Sequence, residues 1–437
     1  YDATTNAVAS DLSTHSNLVG SQTLALSGTG TITNKDVGSN KTVSVGTLAL
    51  GDGSNGGLAA NYTLSGGTHQ LTVNQRPLNA TLSRQYDAST TAAGSTLSSF
   101  DALQGGENLT LTGSGTASSA NVANGISLSN NGNLALADGS GGSAGLASNY
   151  SLNSTVINIT PRVLNSSGSK TYDANTNAIA SIITLSNLAG GETLSHSGTA
   201  STSSANAGSY TINNLSGISI SNGTGTASNY TLTGGTHSFT IAERAISVNG
   251  TRLYDATSNA EASDLSTQTN LVGSQTLVLS GTGIIASRDV GSNKTVSVGT
   301  LTLADGSNGG LAANYTLSGG THQLTVTQRP LNSSGSKAYD ANTDALANAI
   351  TLSNLAGGET LIHSGTASTS SANAGSYTIN NLAGIGISNG TGTASNYTLT
   401  GGTHSFTINK RVVSLSGGSR QYNGSATAIA ADLPTIN

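Results

Sequence analysis

The chain of 437 residues repeats one short motif at a nearly constant interval. A Tyr-Asp pair occurs five times and a sixth copy reads Tyr-Asn-Gly, with tyrosines at Tyr1, Tyr86, Tyr172, Tyr254, Tyr339 and Tyr422. Successive copies are 85, 86, 82, 85 and 83 residues apart. Because each interval has the size of a small domain, this period predicts a tandem array of folded modules rather than one large core.

Two further markers follow each Tyr-Asp pair in a fixed order. An Asn-Tyr pair closes a Gly/Ser-rich stretch, with tyrosines at Tyr62, Tyr150, Tyr230, Tyr315 and Tyr397. A boundary arginine comes next, at Arg76, Arg162, Arg244, Arg329 and Arg411. The aspartates of the Tyr-Asp pairs are Asp2, Asp87, Asp173, Asp255 and Asp340. Three markers at one spacing define the repeat, and we predict a structural role for all of these residues.

The markers divide the chain into five modules and the start of a sixth. We place the modules at 1–76 (with the first strand missing), 77–162, 163–244, 245–329 and 330–411, and the start of the sixth at 412–437. Residues 1–76 nearly reproduce 254–329, and 172–244 nearly reproduce 339–411, whereas 77–162 differs from both. The module types therefore follow the order A-B-C-A-C. An opening without Met and an end inside the sixth unit predict that the chain is a piece of a longer fibre.

Short runs of alternating apolar and polar residues predict an all-β fold. In the first module the alternating pairs are Leu24/Leu26, Val43/Val45, Leu48/Leu50, Tyr62/Leu64 and Leu71/Val73. Glycine-rich turns separate them, as expected for six to eight half-buried strands in a small β-sandwich-like module. Because the joins between modules contain no Pro/Ser-rich linker, we expect an extended rod of about 150 Å. The alternative is a continuous β-solenoid, although no sub-period of 20–30 residues or so is visible.

The composition argues against several classes of function. Charged residues make up 8%, against about 25% in a typical domain, and the net charge is -5, so no basic surface for nucleic acid is expected. Cysteine is absent, which excludes disulfides and thiolate metal sites. No apolar run approaches 18 residues, so we predict no direct membrane insertion by this part of the protein.

The repeated tyrosines and aspartates each allow a second interpretation. The tyrosines could stack on sugar rings, but recurrence at one strand position favours a core or inter-module role. The aspartates of the Tyr-Asp pairs are predicted to stabilise a turn by an Asx interaction. Calcium is the alternative for the acidic residues, but Asp52, Asp138 and Asp305 each stand alone in a Gly-rich loop. The single histidine of each Gly-Gly-Thr-His motif lacks a second ligand at metal spacing, so we expect neither a metal nor a cofactor.

Catalysis has little support in this sequence. No nucleophile elbow or distinctive acidic pair occurs, and the 20 carboxylates are spread along the chain, so we predict a non-enzymatic protein with no catalytic residues. Asn-X-Ser/Thr triplets, for example at Asn40, Asn61 and Asn108, leave glycosylation open as an alternative.

Three segments of the first module resemble a known family. Tyr1-Asp2-Ala3-Thr4-Thr5, Asp36-Val37-Gly38-Ser39-Asn40-Lys41-Thr42-Val43 and Ala60-Asn61-Tyr62-Thr63-Leu64 are similar to the YDG/MBG-type repeats of large bacterial exoproteins. Those repeats occur in filamentous haemagglutinin-like adhesins that are exported by two-partner secretion. The resemblance implies a secreted adhesin on the surface or in the biofilm matrix of a Gram-negative bacterium.

We therefore expect a non-catalytic stalk that holds an adhesive region away from the cell. The alternative is multivalent binding of exopolysaccharide or host glycan along the repeats, with avidity supplied by their number. A third hypothesis is self-association into fibres through exposed strand edges, because few charges protect those edges.

Overall fold

The computed structural model describes residues 1–212, 214–379 and 381–433, and in this part of the chain every regular element is a strand or a 3₁₀ turn. The 3₁₀ turns are Ala9–Asp11, Ala59–Asn61, Gly94–Thr96, Gly141–Ser143, Ala147–Asn149, Ala180–Ile182, Ala227–Asn229, Ala262–Asp264, Ala312–Asn314, Ala347–Ala349, Ala394–Asn396 and Ala430–Asp432. The predicted all-β class and the tandem array of five modules are confirmed.

The strands of modules 1 and 2 are β1 (Asn6–Val8), β2 (Leu24–Ser27), β3 (Thr29–Ile32), β4 (Gly38–Ser44), β5 (Ala49–Asp52), β6 (Gln70–Val73), β7 (Arg76–Gln85), β8 (Thr91–Ala93), β9 (Leu97–Phe100), β10 (Leu109–Thr112), β11 (Ser114–Ala117), β12 (Ala123–Asn130), β13 (Ala135–Asp138) and β14 (Tyr150–Thr160). Module 3 contains β15 (Arg162–Val163), β16 (Asn165–Thr171), β17 (Asn177–Ile179), β18 (Ile183–Ser186), β19 (Leu194–Ser201), β20 (Gly208–Thr211), β21 (Ile218–Asn222), β22 (Tyr230–Thr231) and β23 (His237–Ala242).

Module 4 contains β24 (Arg244–Ala245), β25 (Ser247–Leu253), β26 (Asn259–Glu261), β27 (Thr267–Thr269), β28 (Leu277–Ser280), β29 (Thr282–Ile285), β30 (Gly291–Ser297), β31 (Thr302–Asp305), β32 (Tyr315–Thr316) and β33 (Gln323–Thr327). Module 5 contains β34 (Arg329–Pro330), β35 (Asn332–Ala338), β36 (Asp344–Leu346), β37 (Ile350–Ser353), β38 (Leu361–Ser368), β39 (Gly375–Thr378), β40 (Ile385–Asn389), β41 (Tyr397–Thr398) and β42 (His404–Asn409).

Each complete module closes its sheet by pairing its first long strand with its last. In module 4 the strand order is β26-β29-β30-β33-β25-β27, and β25 runs parallel to β33. In module 2, β7 and β14 form the equivalent parallel pair, and in module 5 β35 and β42 do so. The other pairs of these sheets are antiparallel, as in β25–β27 and β30–β33. Because its first and last strands meet, each complete module is a unit of its own rather than one turn of a solenoid.

The core lies between this sheet and a two-stranded ribbon. Alternate residues Leu78, Ala80 and Leu82 of β7 are almost fully buried, as are Ile157 and Ile159 of the adjacent β14. The ribbon β10–β13 contributes apolar side chains to the same cluster from the other side. Burial of alternate residues explains why a period of two in the sequence marks these strands.

A glycine is required where the ribbon strand turns into the sheet. Gly28 has a φ of 87°, and a Cβ there would lie 2.1 Å from the carbonyl oxygen of Thr47. The equivalent positions of modules 2 and 4, Gly113 and Gly281, have the same conformation and the same close approach. A side chain at this turn would therefore face both an unfavourable backbone conformation and a clash.

The chain divides into two compact units that do not follow the module boundaries. The first comprises Tyr1–Lys170, Thr176–Ser204 and Ser209–Thr240, and the second comprises Thr171–Asn175, Ala205–Gly208 and Ile241–Asn437. Two short segments of module 3 thus pack with module 4. Each unit contains two of the contact regions between modules that are described below.

One predicted strand of module 1 is wrong. Tyr62 and Leu64 alternate as expected, but they lie outside regular structure, whereas the equivalent Tyr315–Thr316 forms β32. In module 4 this strand pairs with β24, the short strand that begins at the boundary arginine. Module 1 has no such strand among the described residues, so its Asn-Tyr segment has no partner.

Candidate functional site

The three sequence markers come together where one module meets the next. We call each such contact region a joint. Joints 1/2 and 2/3 lie in the first compact unit, and joints 3/4 and 4/5 lie in the second. Every joint is built from the same kinds of side chain at equivalent positions.

A pair of tyrosines forms the centre of each joint. The tyrosine of the Tyr-Asp pair in one module packs edge-to-face on the tyrosine of the Asn-Tyr pair in the next module. The ring centroids are 5.2 Å apart for Tyr1–Tyr150, 5.3 Å for Tyr86–Tyr230, 5.3 Å for Tyr172–Tyr315 and 5.4 Å for Tyr254–Tyr397. This arrangement stabilises aromatic pairs by about 0.5–1.5 kcal/mol beyond their burial.

Both tyrosine hydroxyls donate to one acidic or amide side chain. In joint 4/5, Tyr254 and Tyr397 donate to the two carboxylate oxygens of Glu359, at 2.9 and 2.6 Å. Glu107 takes this position in joint 1/2 and Glu192 in joint 2/3. In joint 3/4 the acceptor is the uncharged Gln275, whose amide nitrogen also donates to Tyr172 at 3.1 Å.

Two joints add a cation beside the carboxylate. Lys35 pairs with Glu107 in joint 1/2, and Arg288 lies 3.2 Å from Glu359 in joint 4/5. Both carboxylates are nearly buried while both cations are about half exposed at the side chain. A partly exposed cation compensates the buried charge at a smaller desolvation penalty than a fully buried pair would carry.

The environment of the joints raises the pKa of several of their tyrosines. Burial, together with the adjacent Glu107, raises the pKa of Tyr150 to about 12. Burial and the neighbouring glutamate likewise raise the pKa values of Tyr230 and Tyr397 to about 12. Burial also opposes ionisation of Glu107, but hydrogen bonds from Lys35 and the two tyrosines outweigh it and hold the pKa of that carboxyl below its usual range. Tyrosine therefore stays protonated and able to donate, while Glu107 stays ionised and able to accept.

The asparagine of the Asn-Tyr pair adds a second set of hydrogen bonds across each joint. Asn396 accepts a hydrogen bond from the backbone nitrogen of Val290 at 2.9 Å and donates to Asp289 at 2.8 Å. The equivalent asparagines Asn149, Asn229 and Asn314 make the same two kinds of contact to the preceding module. All four are only 1% exposed, so both ends of each amide are satisfied away from water.

The boundary arginine forms hydrogen bonds between the strand that it begins and a neighbouring turn. In joint 4/5, Arg329 donates from Nε to the carbonyl oxygen of Asn354 at 2.7 Å and from Nη2 to its side-chain oxygen at 2.9 Å. It also donates to the carbonyl oxygen of Tyr254 in the preceding module. Arg162 and Arg244 make the equivalent three contacts, whereas Arg76 donates to the carbonyl oxygen of Ala102, which has no side-chain acceptor.

The aspartate of the Tyr-Asp pair turns the chain just outside each joint. Asp2 accepts from the backbone nitrogen of Thr4 at 3.0 Å, which is the Asx interaction predicted from the sequence. Asp87, Asp173, Asp255 and Asp340 accept from the residue two positions later in the same way. A cation of the preceding strand pairs with such an aspartate in Arg84–Asp87, Arg252–Asp255 and Lys337–Asp340.

Markers that lack a neighbouring module are more exposed than their counterparts in the joints. Tyr254 is 0% exposed in joint 4/5, whereas Tyr339, opposite which the described residues place no Asn-Tyr pair, is 38% exposed. Tyr62 is half-buried and Asn61 exposed, in contrast with their buried counterparts in modules 2 to 5. Tyr422 and Arg411 are likewise exposed. Burial of these residues therefore depends on the adjacent module and is not a property of the module alone.

The sequence matches one family description along nearly its whole length. The YDG domain matches five times in tandem, at residues 1–71, 69–157, 158–238, 240–325 and 321–405.

The chain belongs to the YDG domain family. No curated protein matches it.

The YDG domains of this chain hold a strained residue after each Tyr-Asp pair. Alanine occupies the left-handed conformation at Ala3, Ala88, Ala174, Ala256 and Ala341, with φ between 62° and 67°. The sixth copy has Gly424 at this position, with φ 77°. The left-handed region disfavours L residues by about 1–2 kcal/mol, so these alanines are held there by their surroundings. The Ala256 methyl lies against Gly357 of the next YDG domain, where an added Cβ would approach it to 2.9 Å.

The other candidate residues of the YDG domains serve local structure. Asp52, Asp138 and Asp305 each accept from a backbone nitrogen at the start of a 3₁₀ turn, at 2.7 Å. The histidines of the Gly-Gly-Thr-His motifs contact a backbone carbonyl oxygen five residues earlier, as His404 does with Leu399 at 2.7 Å. Within the described residues, no three His, Asp or Glu side chains cluster as a metal site would require, and no helix has the length and apolarity to cross a membrane.

Sequence reasoning missed the acceptor that joins the two tyrosines. Glu107, Glu192 and Glu359 follow a Gly-Gly pair, and Gln22 and Gln275 follow Gly-Ser, so each YDG domain has an acceptor at this position. A Glu or Gln at one place in every repeat is a visible signal. The sequence does not show which residues this acceptor contacts. In joints 1/2, 2/3 and 4/5 the acceptor lies 105 or 106 residues from the tyrosine of the preceding module that it binds.

Proposed function

We propose that this chain is a structural, non-catalytic stalk region of a secreted bacterial adhesin or biofilm-matrix fibre. The observation that carries the proposal is the joint, which recurs four times with the same edge-to-face tyrosine pair and a bridging Glu or Gln at the equivalent position. The repeat-defining residues are thus used to hold neighbouring modules together. A protein that must keep a fixed distance between its ends needs such contacts at every module boundary.

Several independent contacts at each boundary support stiffness. A joint combines an edge-to-face ring pair, a hydroxyl bond from the tyrosine of one module to the acceptor of the next, two hydrogen bonds of the buried asparagine and an arginine contact to the backbone of the preceding module. Rotation of one module against the next would break all of them together. Connections between domains that lack such contacts move freely by default.

Small-angle X-ray scattering of the 437-residue chain tests the stalk. Five modules in line predict a maximum dimension of about 150 Å, because each 85-residue unit is about 30 Å across. A compact globule of the same length would be about 60 Å across. A maximum dimension near the smaller value would contradict the stalk.

The adhesin context is supported by the resemblance of the repeats to filamentous haemagglutinin-like exoproteins. We propose an extracellular location at the surface of a Gram-negative bacterium, reached by two-partner secretion. Protease treatment of intact producing cells tests the location. Cleavage of this region before lysis is expected, and protection until lysis would contradict it.

Glycan binding along the repeats is the alternative function. The tyrosines that could have stacked on sugars are buried or half-buried in the joints, apart from Tyr62, Tyr339 and Tyr422. A glycan site would therefore lie on the Ser/Thr/Asn-rich surface of the modules. Binding on a glycan array that increases with the number of modules would favour this alternative, and the absence of binding above background would leave the stalk.

A further inference from the structure

In modules 2, 4 and 5 the first and last long strands lie side by side and run in the same direction. Module 2 pairs β7 with β14 in a register that runs from Arg76↔Tyr150 to Gln85↔Thr160, with one bulge. Module 4 pairs β25 with β33, and module 5 pairs β35 with β42, in the same parallel sense. We call these two strands of a module its terminal strand pair. Since β7 begins at one end of the pair and β14 finishes at the other, the chain enters and leaves the module at opposite ends of one ladder.

The chain passes from one module to the next almost without a linker. Pro161 alone separates the end of β14 from the start of β15, and Gln328 alone separates β33 from β34. Glu243 alone lies between β23 and β24. Because no flexible segment can extend first, a pull along the chain acts directly on the last strand of one module and the first strand of the next.

The parallel direction decides how such a pull acts on the hydrogen bonds. It draws the two strands past each other along their length, so the evenly spaced bonds between them are strained together. If the chain entered and left at the same end, the bonds would open one after another from that end. The ladder continues beyond β7, because the backbone nitrogen of Tyr86 donates to the carbonyl oxygen of Thr160 at 2.9 Å. Tyr254 and Thr327 make the same bond in module 4.

Buried side chains of the two strands also oppose sliding. Leu82 of β7 and Ile157 of β14 are fully buried, so movement along the strand direction would draw them out of the core. A shift by one residue would turn every inward side chain outward. A small slip therefore gives no new stable register.

Side-chain hydrogen bonds cross the same pair of strands. In module 2, Asn153 and Ser154 donate to the side-chain oxygen of Asn79, at 3.0 and 2.5 Å. In module 5, the buried Ser333 hydroxyl contacts Nδ1 of His404 at 2.9 Å. The histidine of the Gly-Gly-Thr-His motif thus connects the first strand of its module to the last.

We propose that modules 2, 4 and 5 bear tension along the chain, with the terminal strand pair of each loaded in shear. The inference rests on the stalk proposal for the source of the tension, because a stalk is pulled whenever the adhesive region that it carries is held. It adds a function for the interior of the module. The joints keep neighbouring modules together, and the terminal strand pair keeps each module folded under load.

Single-molecule pulling on module 2 within the 437-residue chain tests the direction of loading. The chain has no cysteine, so handles can be attached at two introduced cysteines. Gln75→Cys with Pro161→Cys applies the pull at opposite ends of β7 and β14, as a pull along the whole chain does. Gln75→Cys with Ser148→Cys applies it at one end, where the Gln75 side chain donates to the carbonyl oxygen of Ser148 at 3.1 Å. All three positions are exposed.

At equal loading rate, the opposite-end pull should require an unfolding force about twofold higher than the same-end pull, or more, because forced unfolding reports the barrier along the direction of loading. The opposite-end pull should lengthen the chain in one step of about 250 Å, the extended length of the residues between the handles less the length of the folded strand pair. Denaturant unfolding of the two variants without handles is the control. Their midpoints should be equal, since only exposed side chains are changed.

Equal forces in the two directions, or a higher force in the same-end pull, would overturn the inference. Lengthening in several small steps at low force in the opposite-end pull would do the same, because bonds that are loaded together fail together. The stalk proposal is tested separately by its maximum dimension in solution. An extended chain with equal forces would reject shear loading alone, whereas a compact chain would reject the stalk.

Discussion

At the residue scale, the bridging side chain decides how strongly a joint is held. Glu359 receives two hydroxyl donors and is 9% exposed, so its removal leaves Tyr254 and Tyr397 without their acceptor. Hydrogen bonds to a charged group contribute about 1.5–3 kcal/mol each, and the loss is greatest when a buried partner is left unsatisfied. Joint 3/4 uses Gln275 at the same position, which shows that an amide is compatible with the geometry.

Glu359→Ala should open joint 4/5, whereas Glu359→Gln should largely preserve it. The Ala356 backbone nitrogen donates to the Tyr397 hydroxyl at 3.1 Å, so amide hydrogen exchange there reports the joint directly. We expect a loss of about 2–4 kcal/mol and at least tenfold faster exchange in Glu359→Ala. The change in Glu359→Gln should be severalfold smaller. Equal exchange rates in the two variants would show that the hydroxyl bonds do not hold the joint.

Substitution of two equivalent glycines distinguishes the effect of backbone strain from the effect of packing across a joint. Gly357 and Gly273 have nearly the same left-handed φ, 58° and 57°, at equivalent positions. A Cβ on Gly357 would approach the Ala256 methyl to 2.9 Å, whereas a Cβ on Gly273 meets nothing within 4 Å. The cost of a left-handed alanine, about 1–2 kcal/mol, is common to both substitutions.

Gly357→Ala should therefore loosen its joint more than Gly273→Ala loosens its own. Thermal unfolding followed by tyrosine fluorescence is a suitable measurement, because the chain has 13 tyrosines and no tryptophan. The extra destabilisation in Gly357→Ala should be about 1–3 kcal/mol, as for other overpacked contacts. Equal destabilisation by both variants would mean that the alanine methyl does not contribute to the contact.

At the element scale, the boundary arginine couples a two-residue strand to the joint. Arg329 opens β34, which pairs in parallel with β41, and its guanidinium spans Asn354 and the backbone of Tyr254. Such a short strand pair has little stability of its own. The planar guanidinium group donates several hydrogen bonds at once, which the single ammonium group of a lysine cannot do in the same geometry.

Arg329→Lys should destabilise joint 4/5 by about 1–2 kcal/mol, since at least one hydrogen bond is lost. Arg76→Lys is the comparison, because Arg76 faces Ala102 and has no side-chain amide to lose. Hydrogen exchange at Leu331, whose backbone nitrogen donates to Thr398, should accelerate in Arg329→Lys. The response of the equivalent amide in Arg76→Lys should be smaller, and a larger one would contradict this role of the arginine.

The elements also show how far the sequence could predict the fold. Alternation located most of the strands that it predicted in module 1, as at Leu24/Leu26 and Leu71/Val73, because burial of every second residue is a local property. It could not predict that β7 pairs in parallel with β14, since alternation indicates the face of a residue but not the partner of its strand. The same limit explains the failure at Tyr62 and Leu64, where the pattern is present and the partner strand is not.

The candidate site was visible in the sequence only in part. The recurrence of Tyr-Asp and Asn-Tyr predicted structural tyrosines and turn-forming aspartates, and the contacts of Asp2 and Tyr150 agree with these roles. The pairing of tyrosines from successive modules was not predictable, because it depends on how two folded units meet. A role for Glu192 was not predicted, because a single acidic residue in a Gly-rich turn is common on protein surfaces.

At the scale of the whole molecule, the joints make stability sensitive to alkaline pH. Tyr150, Tyr230 and Tyr397 have pKa values of about 12, against an ordinary value of 10.0. Between these values the unfolded chain loses protons that the folded chain keeps, so stability falls as pH rises. The contribution is fully present below pH 10 and is lost progressively up to about pH 12.

Two measurements check this pH dependence. The unfolding midpoint should fall steadily between about pH 10 and 12, and ultraviolet titration should show Tyr150, Tyr230 and Tyr397 ionising above the ordinary tyrosine pKa of 10.0. Tyr230→Phe should reduce the slope, because one titrating hydroxyl is removed. A midpoint independent of pH over this range would contradict burial of the hydroxyls in the joints.

We propose that each joint fixes the orientation of neighbouring modules. The absence of cysteine allows spin labels to be attached at single positions, and Thr110 and Ser195 are exposed sites on either side of joint 2/3. Tyr86→Ala removes one ring of this joint, and Tyr339→Ala removes the equivalent but partly exposed ring of module 5.

Electron–electron double resonance between these two labels is the most direct test. We predict a single narrow distance distribution in the parent chain, a broad one in Tyr86→Ala and an unchanged one in Tyr339→Ala. A broad distribution in the parent chain, or one that Tyr86→Ala leaves unchanged, would show that the joint does not fix the orientation of the modules.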